Sequence, residues 1–431
     1  MRPTLKDVQE AHKIVTKIAH RTPIMYSRTF SEMADAQVYL KAENLQRTGS
    51  FKIRGAANRI ASIPTSDRRR GVVTASAGNH AQGVALASQR LGVKCLVVMP
   101  KGASPAKMEA TKGYGAEILL IGDTFDDAQA EAHRLALEKK MTFIPAFDDA
   151  KIIAGQGTIG LEICHDLPEL QAVAVPIGGG GLISGVALVI KELKPSVKVY
   201  GVQAEACPSA VVATQKGRRI RIHPKPTIAD GIAVGRTGEL PFGLIKRYVD
   251  DIVTVSEEEV AHAIVLLLER AKLLVEGAGA VGLAAIVNRR LSCKGRKVVA
   301  LLSGGNVDPL LLSRVLDFGL AHAGRFLSLR VIVRDTPGQL AKLLDTLAEA
   351  QANIIEVVHH RRGIHLPIGL VQVELTIETR NPDHARRVTD ALEEKGYVPL
   401  RYGIGAVFSQ AGTLYFAAQG AYEPQEEDTA P

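Results

Sequence analysis

Six short runs constrain the fold of this chain more than anything else in it: GVVTASAGN (71–79), VKCLVVMP (93–100), AEILLIG (116–122), VAVPIGGGG (173–181), VKVYGVQAE (197–205) and KVVALLSGGN (297–306). Each is almost continuously apolar, and most close on Gly, Ser, Pro or Asn. A strand with one wet face alternates polar and apolar residues. An unbroken apolar run marks a strand covered on both faces, as in a parallel sheet. Helical patterns such as HAQGVALASQRLG (80–92) and EEEVAHAIVLLLERAKLL (257–274) fall between the runs. Strands alternating with helices from about residue 35 to 305 therefore specify an α/β fold with open parallel sheets. Ligands of such folds bind beyond the carboxyl ends of the strands, where these glycine-rich turns fall.

The pattern changes near residue 323. FLSLRVIVR (326–334) reads as a strand, and DTPGQLAKLLDTLAEA (335–350) opens a helix behind Pro337 and Gly338. NIIEVVHHR (353–361) and GLVQVELTIET (369–379) read as a hairpin pair, the second with period two. A helix over DHARRVTDALEEKG (383–396) and a short strand at YVPLR complete a strand–helix–strand–strand–helix–strand unit of ferredoxin-like α+β type. The acidic, proline-containing end AYEPQEEDTAP has the composition of a disordered tail.

A chain of 431 residues exceeds a single core, so two or three domains are expected. Lys+Arg number 53 against 45 Asp+Glu, a formal charge of +8 that raises the question of nucleic acid. The cations are dispersed, though, aromatics make up only 4% and Trp is absent, so stacking platforms for bases are missing and no nucleic-acid partner is expected. Cys95, Cys164, Cys207 and Cys293 stand far apart, without the spacing of a zinc site or a disulfide framework. They suit a reducing compartment. The opening MRPTLKDVQEAHKIVTKIAH is amphipathic rather than signal-like, and no apolar run is long enough to span a bilayer. The expectation is a cytoplasmic protein with no membrane partner.

Four motifs carry chemistry. GGGGL (178–182) follows a strand and precedes a helix, so successive backbone N–H groups face outward at a helix start and form a phosphate cradle. Its spacing meets neither GxGxxG nor GK[ST], which removes the dinucleotide and P-loop readings. SAGNHAQG (76–83) also enters a helix from a strand end. Ser76 and Asn79 can serve an anion there, although both are also ordinary helix caps. His80 reads as structural rather than as a base. SGGN (303–306) offers the neutral hydroxyl of Ser303 at a third strand end. Finally, GSFKIRGA (49–56) sets Lys52 behind Phe51 and between glycines, where a lysine can meet a flat aldehyde ring as a Schiff base and then swing away.

Taken in order, GSFKIRGA, SAGNHAQG, GGGGLISG and SGGN resemble the pyridoxal-phosphate enzymes of the tryptophan-synthase-β-like class (fold type II). Within it the chain is similar to the threonine dehydratases (threonine ammonia-lyases), a group that includes serine dehydratases and serine racemases. ENLQRTGSFKIRGA (43–56) is an especially close match, and the similarity covers residues 4–320. The resemblance implies pyridoxal 5'-phosphate as cofactor and Lys52 as its Schiff-base lysine. Phe51 would pack beside the ring and Asn79 would bond the 3′ oxygen. Amides of Gly178, Gly179, Gly180, Gly181 and Leu182 would take the phosphate, and Ser303 would meet the pyridine nitrogen. The Ser76, Ala77, Gly78, His80 loop would hold the substrate carboxylate. The implied reaction is dehydration and deamination of L-threonine to 2-oxobutanoate and ammonia, with L-serine giving pyruvate. Another β-hydroxy amino acid such as β-hydroxyaspartate, or a non-catalytic amino-acid sensor, are the alternatives.

Two departures sharpen this. Racemases place a second serine where this chain has Ala77, which cannot transfer a proton. Where that branch begins a metal site with Glu, this chain has Gln203, so no metal is expected, although Glu205 is near. Glu276, in VEGAGA, is expected to face the site, and ADGIAV (229–234) resembles a cofactor-side loop. The C-terminal unit resembles an ACT domain, which implies an amino-acid effector, isoleucine or valine, or else an assembly module. The expected layout is a catalytic domain over 1–322 with a smaller subdomain inserted at about 50–150, an ACT-like domain over 326–402, and a tail over 403–431. A homodimer or homotetramer is expected.

Overall fold

The structure, a computed structural model, describes residues 2–361 and 366–401. The 403–431 tail lies outside the described residues. The chain forms two compact units that divide between Val315 and Leu316.

The first unit holds two sheets. The larger has six strands in the spatial order Ile24–Tyr26, Gln37–Ala42, Lys297–Leu302, Ala172–Pro176, Lys198–Ala204 and Asp251–Val255. All pairings are parallel except the first, which is antiparallel. The smaller sheet is wholly parallel, in the order Glu117–Leu120, Cys95–Met99, Val72–Ala75, Thr142–Phe143. Every residue of Ala172–Pro176 and Val72–Ala75 is buried, which is what their unbroken apolar sequence requires. The six apolar runs are all strands. Four further strands escape the apolar-run criterion: Ile24–Tyr26, Gln37–Ala42, Thr142–Phe143 and Asp251–Val255. They are two to six residues long or carry polar residues at a sheet edge.

The helical pattern over 257–274 requires a correction. Its α-helix ends at Leu266 and continues as a wider turn over Leu267–Ala271. There the carbonyl of Leu267 accepts from both Lys272 and Leu273 N–H, and Lys272 turns left-handed at φ 59°. The widened turn releases the chain into 273–276, which lead to Glu276.

The second unit has one antiparallel sheet in the order Asn353–His360, Leu370–Glu378, Phe326–Arg334, Leu400–Arg401. Buried and less buried residues alternate along Phe326–Arg334. Its buried face packs Leu329, Val331, Val373 and Leu375 against Leu343, Leu347, Val388 and Leu392 of the helices Gln339–Glu349 and Pro382–Glu394.

Candidate active site

Three neighbouring parallel strands of the large sheet, Gln37–Ala42, Lys297–Leu302 and Ala172–Pro176, end on the same side. Their outgoing chains are the segments with Lys52, with Ser303–Asn306 and with the four glycines. Backbone bonds stitch the first two together: Phe51 N–H donates to Ser303 O at 3.1 Å, and Gly305 N–H to Gly49 O at 2.8 Å. Asn306 Nδ2 donates to Thr48 O at 2.7 Å.

Lys52 is the first residue of the helix Lys52–Ala61, and its Nζ lies 5.1 Å from the Phe51 ring centroid. Desolvation drives its pKa down from 10.5 to about 8, against an opposing pull from Glu276. A lysine so placed has a sizeable neutral fraction near pH 8 and is a competent nucleophile toward an aldehyde.

The glycine segment leads into the helix Gly181–Leu193, whose N-cap Gly180 has φ 93° and supplies no side-chain cap. A Cβ at Gly179 would lie 2.3 Å from Cδ1 of Phe147, so the ring and the bare backbone need one another. Uncapped amides at a helix start form an anion site.

The smaller sheet contributes the segment after Val72–Ala75. Its helix, Asn79–Arg90, has Gly78 as N-cap with no side-chain cap bond, so neither Ser76 nor Asn79 acts as a cap. Ser76 Oγ instead accepts from Gly78 N–H at 3.2 Å. The His80 ring is turned away: its Nε2 meets Ile144 O at 3.0 Å. Burial first, then Lys52, pushes its pKa down to about 3, so the ring is a neutral structural group. Ser303, 3% exposed, sits at a strand end with its Oγ 3.4 Å from Ala278 O.

Residues 15–304 match the family model described as pyridoxal-phosphate dependent enzyme. The chain belongs to that family. Residues 327–396 match the ACT domain. This pyridoxal-phosphate dependent enzyme is 48% identical over 394 residues to L-threonine ammonia-lyase of Thermotoga maritima, spanning 91% of this chain and 98% of that one. Among solved structures it resembles the processed form of threonine deaminase isoform 2 from Solanum lycopersicum, with TM-score 0.69 and 35% identity over 73% of this chain and 95% of that one. Serine racemase from Dictyostelium discoideum gives TM-score 0.68 and 38% identity over 71% and 99%.

The donor set fits the cofactor of the family. A desolvated amine suits the aldehyde, uncapped glycine amides suit the phosphate, and a neutral hydroxyl and a carboxamide remain for the ring's polar atoms. Gln203 is occupied structurally in this pyridoxal-phosphate dependent enzyme. Its Oε1 accepts from Ala210 and Val211 N–H at 2.8 and 3.2 Å, and its Nε2 donates to Ile177 O at 3.1 Å.

Two features of the site escape sequence reasoning. Phe147 has no motif of its own. Asn306 lies within SGGN, yet only the tertiary structure shows that its Nδ2 reaches Asn79 Oδ1 at 2.8 Å. Glu276, by contrast, faces the site from the N-cap of the helix Gly277–Val287, where Asn79 Nδ2 donates to its Oε1 at 2.8 Å. Burial raises its pKa to about 7 against that hydrogen bond.

Proposed function

We propose that this chain is a threonine ammonia-lyase that converts L-threonine to 2-oxobutanoate and ammonia and L-serine to pyruvate. The observation that carries the reading is the 48% identity to an L-threonine ammonia-lyase across 91% of a chain that also matches both domain models. When bound, pyridoxal phosphate supplies the electron sink for charge left at the α-carbon.

The chain's own residues have distinct tasks in this reading. Lys52 would hold the aldehyde carbon of the cofactor, and its amine, when free and neutral, would take the substrate's α-proton. A pKa of about 8 suits that exchange, since a fully charged amine could not accept a proton. Amides of Gly178, Gly179, Gly180, Gly181 and Leu182 would hold the phosphate, while Phe51 would flank the ring and Asn79 would meet its phenolic oxygen. Amides of the Ser76, Ala77, Gly78, His80 loop, at the open start of the helix Asn79–Arg90, hold the substrate carboxylate. Ser303 would meet the pyridine nitrogen. A hydroxyl there would not enforce protonation of that nitrogen, so the electron sink would be a moderate one, suited to elimination. The enamine released then hydrolyses in water. Ala77 has a methyl where proton return to the opposite face would need an acid, so racemisation is disfavoured.

The ACT domain supports an effector site for an amino acid, with isoleucine or valine as the candidates, in a cytoplasmic homodimer or homotetramer. No helix among the described residues is long and apolar enough to cross a membrane. The deciding assay measures 2-oxo acid from L-threonine and L-serine, with Lys52→Ala as control. Product that disappears in the variant together with the visible cofactor band supports the reading; a yellow wild-type protein that makes no product from either amino acid refutes the substrate assignment. A saturable melting shift or rate change with isoleucine or valine tests the effector, and light scattering tests the assembly.

A further inference from the structure

Asn79, Glu276 and Asn306 come from three separate segments and form one chain of side-chain hydrogen bonds beside Lys52. Its direction follows from chemistry. A backbone carbonyl can only accept, so the atom of Asn306 that lies 2.7 Å from Thr48 O is its Nδ2. The same Nδ2 lies 2.8 Å from Asn79, which must therefore present its Oδ1 there. Gln82 Oε1, 3.4 Å from Asn306 Nδ2, is a weaker third acceptor. With its oxygen fixed toward Asn306, Asn79 has its Nδ2 on the opposite side, where Glu276 Oε1 accepts one N–H at 2.8 Å. One N–H is left over.

The backbone has been cleared for this arrangement. A Cβ at Gly304 would lie 2.4 Å from Glu276 Oε1 and 3.2 Å from Asn79 Nδ2, so any side chain there would break the bridge. Glu276 N–H also donates to Gly304 O at 3.0 Å, which holds the carboxyl group over that glycine.

We propose that Glu276 and Asn306 are positioning residues that hold the Asn79 carboxamide in one of its two orientations, presenting an N–H rather than a carbonyl to the phenolic oxygen of the cofactor. This rests on the proposed reading of the site. A free asparagine could offer either end, and the carbonyl end would repel an anionic oxygen. The charge on Glu276 is part of the device, because a carboxylate accepts more strongly than a carboxylic acid. The groups facing it are Asn79, Asp230 on the turn Asp230–Ile232, Lys107 on the helix Pro105–Gly113, and Lys52. Lys107 and Asp230 pair with each other at 3.4 Å, which leaves Lys52 as the unpaired cation of the set. With the carboxyl group of Glu276 held near a pKa of about 7, cofactor affinity gains a pH dependence at that point.

The test titrates apoenzyme with pyridoxal phosphate and follows the visible band from about pH 6 to 8, for wild type, Glu276→Gln and Asn306→Asp. Glu276→Gln keeps an acceptor but cannot titrate, so its affinity should stay within about 3-fold of wild type near pH 6 and lose the step near pH 7. Asn306→Asp cannot donate to either Thr48 O or Asn79 Oδ1, and its cofactor dissociation constant should rise about 10-fold or more at every pH. Melting of the apo forms shows whether each variant folds; if Asn306→Asp does not, the profile of Glu276→Gln decides alone. A wild-type pH profile in Glu276→Gln, or wild-type affinity in a folded Asn306→Asp, overturns the proposal. A wild-type protein that forms no borohydride-fixed adduct at Lys52 overturns the site reading instead.

Discussion

Arg54 and Glu162, 108 residues apart in sequence, meet edge to edge: Nη1 donates to Oε1 at 2.7 Å and Nη2 to Oε2 at 2.9 Å. The other side of the guanidinium holds Glu43 through Nε and Nη2 at 2.9 and 2.8 Å, and Lys41 donates to Glu162 at 2.6 Å. All four charged side chains are at most 2% exposed. Two cations and two anions thus neutralise one another inside the protein. They tie the helix that begins with Lys52 to the helix Ala150–Asp166 and to the end of the strand Gln37–Ala42.

Removing one member leaves a charge that nothing nearby can offset. Glu162→Gln should therefore destabilise the protein by about 3–5 kcal/mol, although the shape is unchanged. Denaturant melts of the apo forms measure it. A loss under about 1 kcal/mol would mean that water reaches the cluster.

Gly179→Ala should lower both stability and cofactor affinity. Its methyl would stand 2.3–2.4 Å from Cδ1, Cε1 and Cγ of Phe147, so the ring must move at a cost of about 1–3 kcal/mol. Pairing it with Phe147→Leu should recover part of the stability. Additive losses in that double-mutant cycle would show that the ring is not the obstacle.

Acid should weaken the fold through His80. Its folded pKa of about 3 lies below the ordinary 6.5, so the contribution is fully present above 6.5 and is lost as pH falls toward 3. The slope approaches about 1.4 kcal/mol per pH unit within that window. His80→Gln retains a donor for Ile144 O and should flatten the change in melting midpoint between about pH 6.5 and 5. A slope identical to wild type would place the acid sensitivity elsewhere.

Glu276 acts in the opposite sense in the apoenzyme. Its pKa rises from 4.5 to about 7 on folding, so its contribution is full below 4.5 and declines as pH rises to 7. Apo Glu276→Gln should consequently exceed apo wild type in stability at about pH 8, by roughly 3 kcal/mol at most, and match it near pH 4.5. Paired thermal melts at the two pH values decide it.

Whatever depends on neighbours along the chain can be read from its residues alone. Short unbroken apolar runs closed by Gly, Pro or Ser, such as Ala172–Pro176, read as strands covered on both faces, and four successive glycines before a helix expose backbone amides. Lys52, Ser303 and the glycine loop were legible for that reason, each lying at a strand end or helix start marked by its own residues. Alternation along Leu370–Glu378 likewise announced a sheet with one buried face. Tertiary structure decided which polar groups lose water and which partner each one meets. Asn79 and Glu276 are 197 residues apart, and nothing local tells Asn79 to leave the cap position and bond a carboxyl group. The His80 ring is held by Ile144 O, 64 residues away, which meets its Nε2. The pairing of Arg54 with Glu43 and Glu162 has the same origin. Desolvation and hydrogen-bond direction are set by atoms brought together through space, so they emerge only once the sheets and helices have packed.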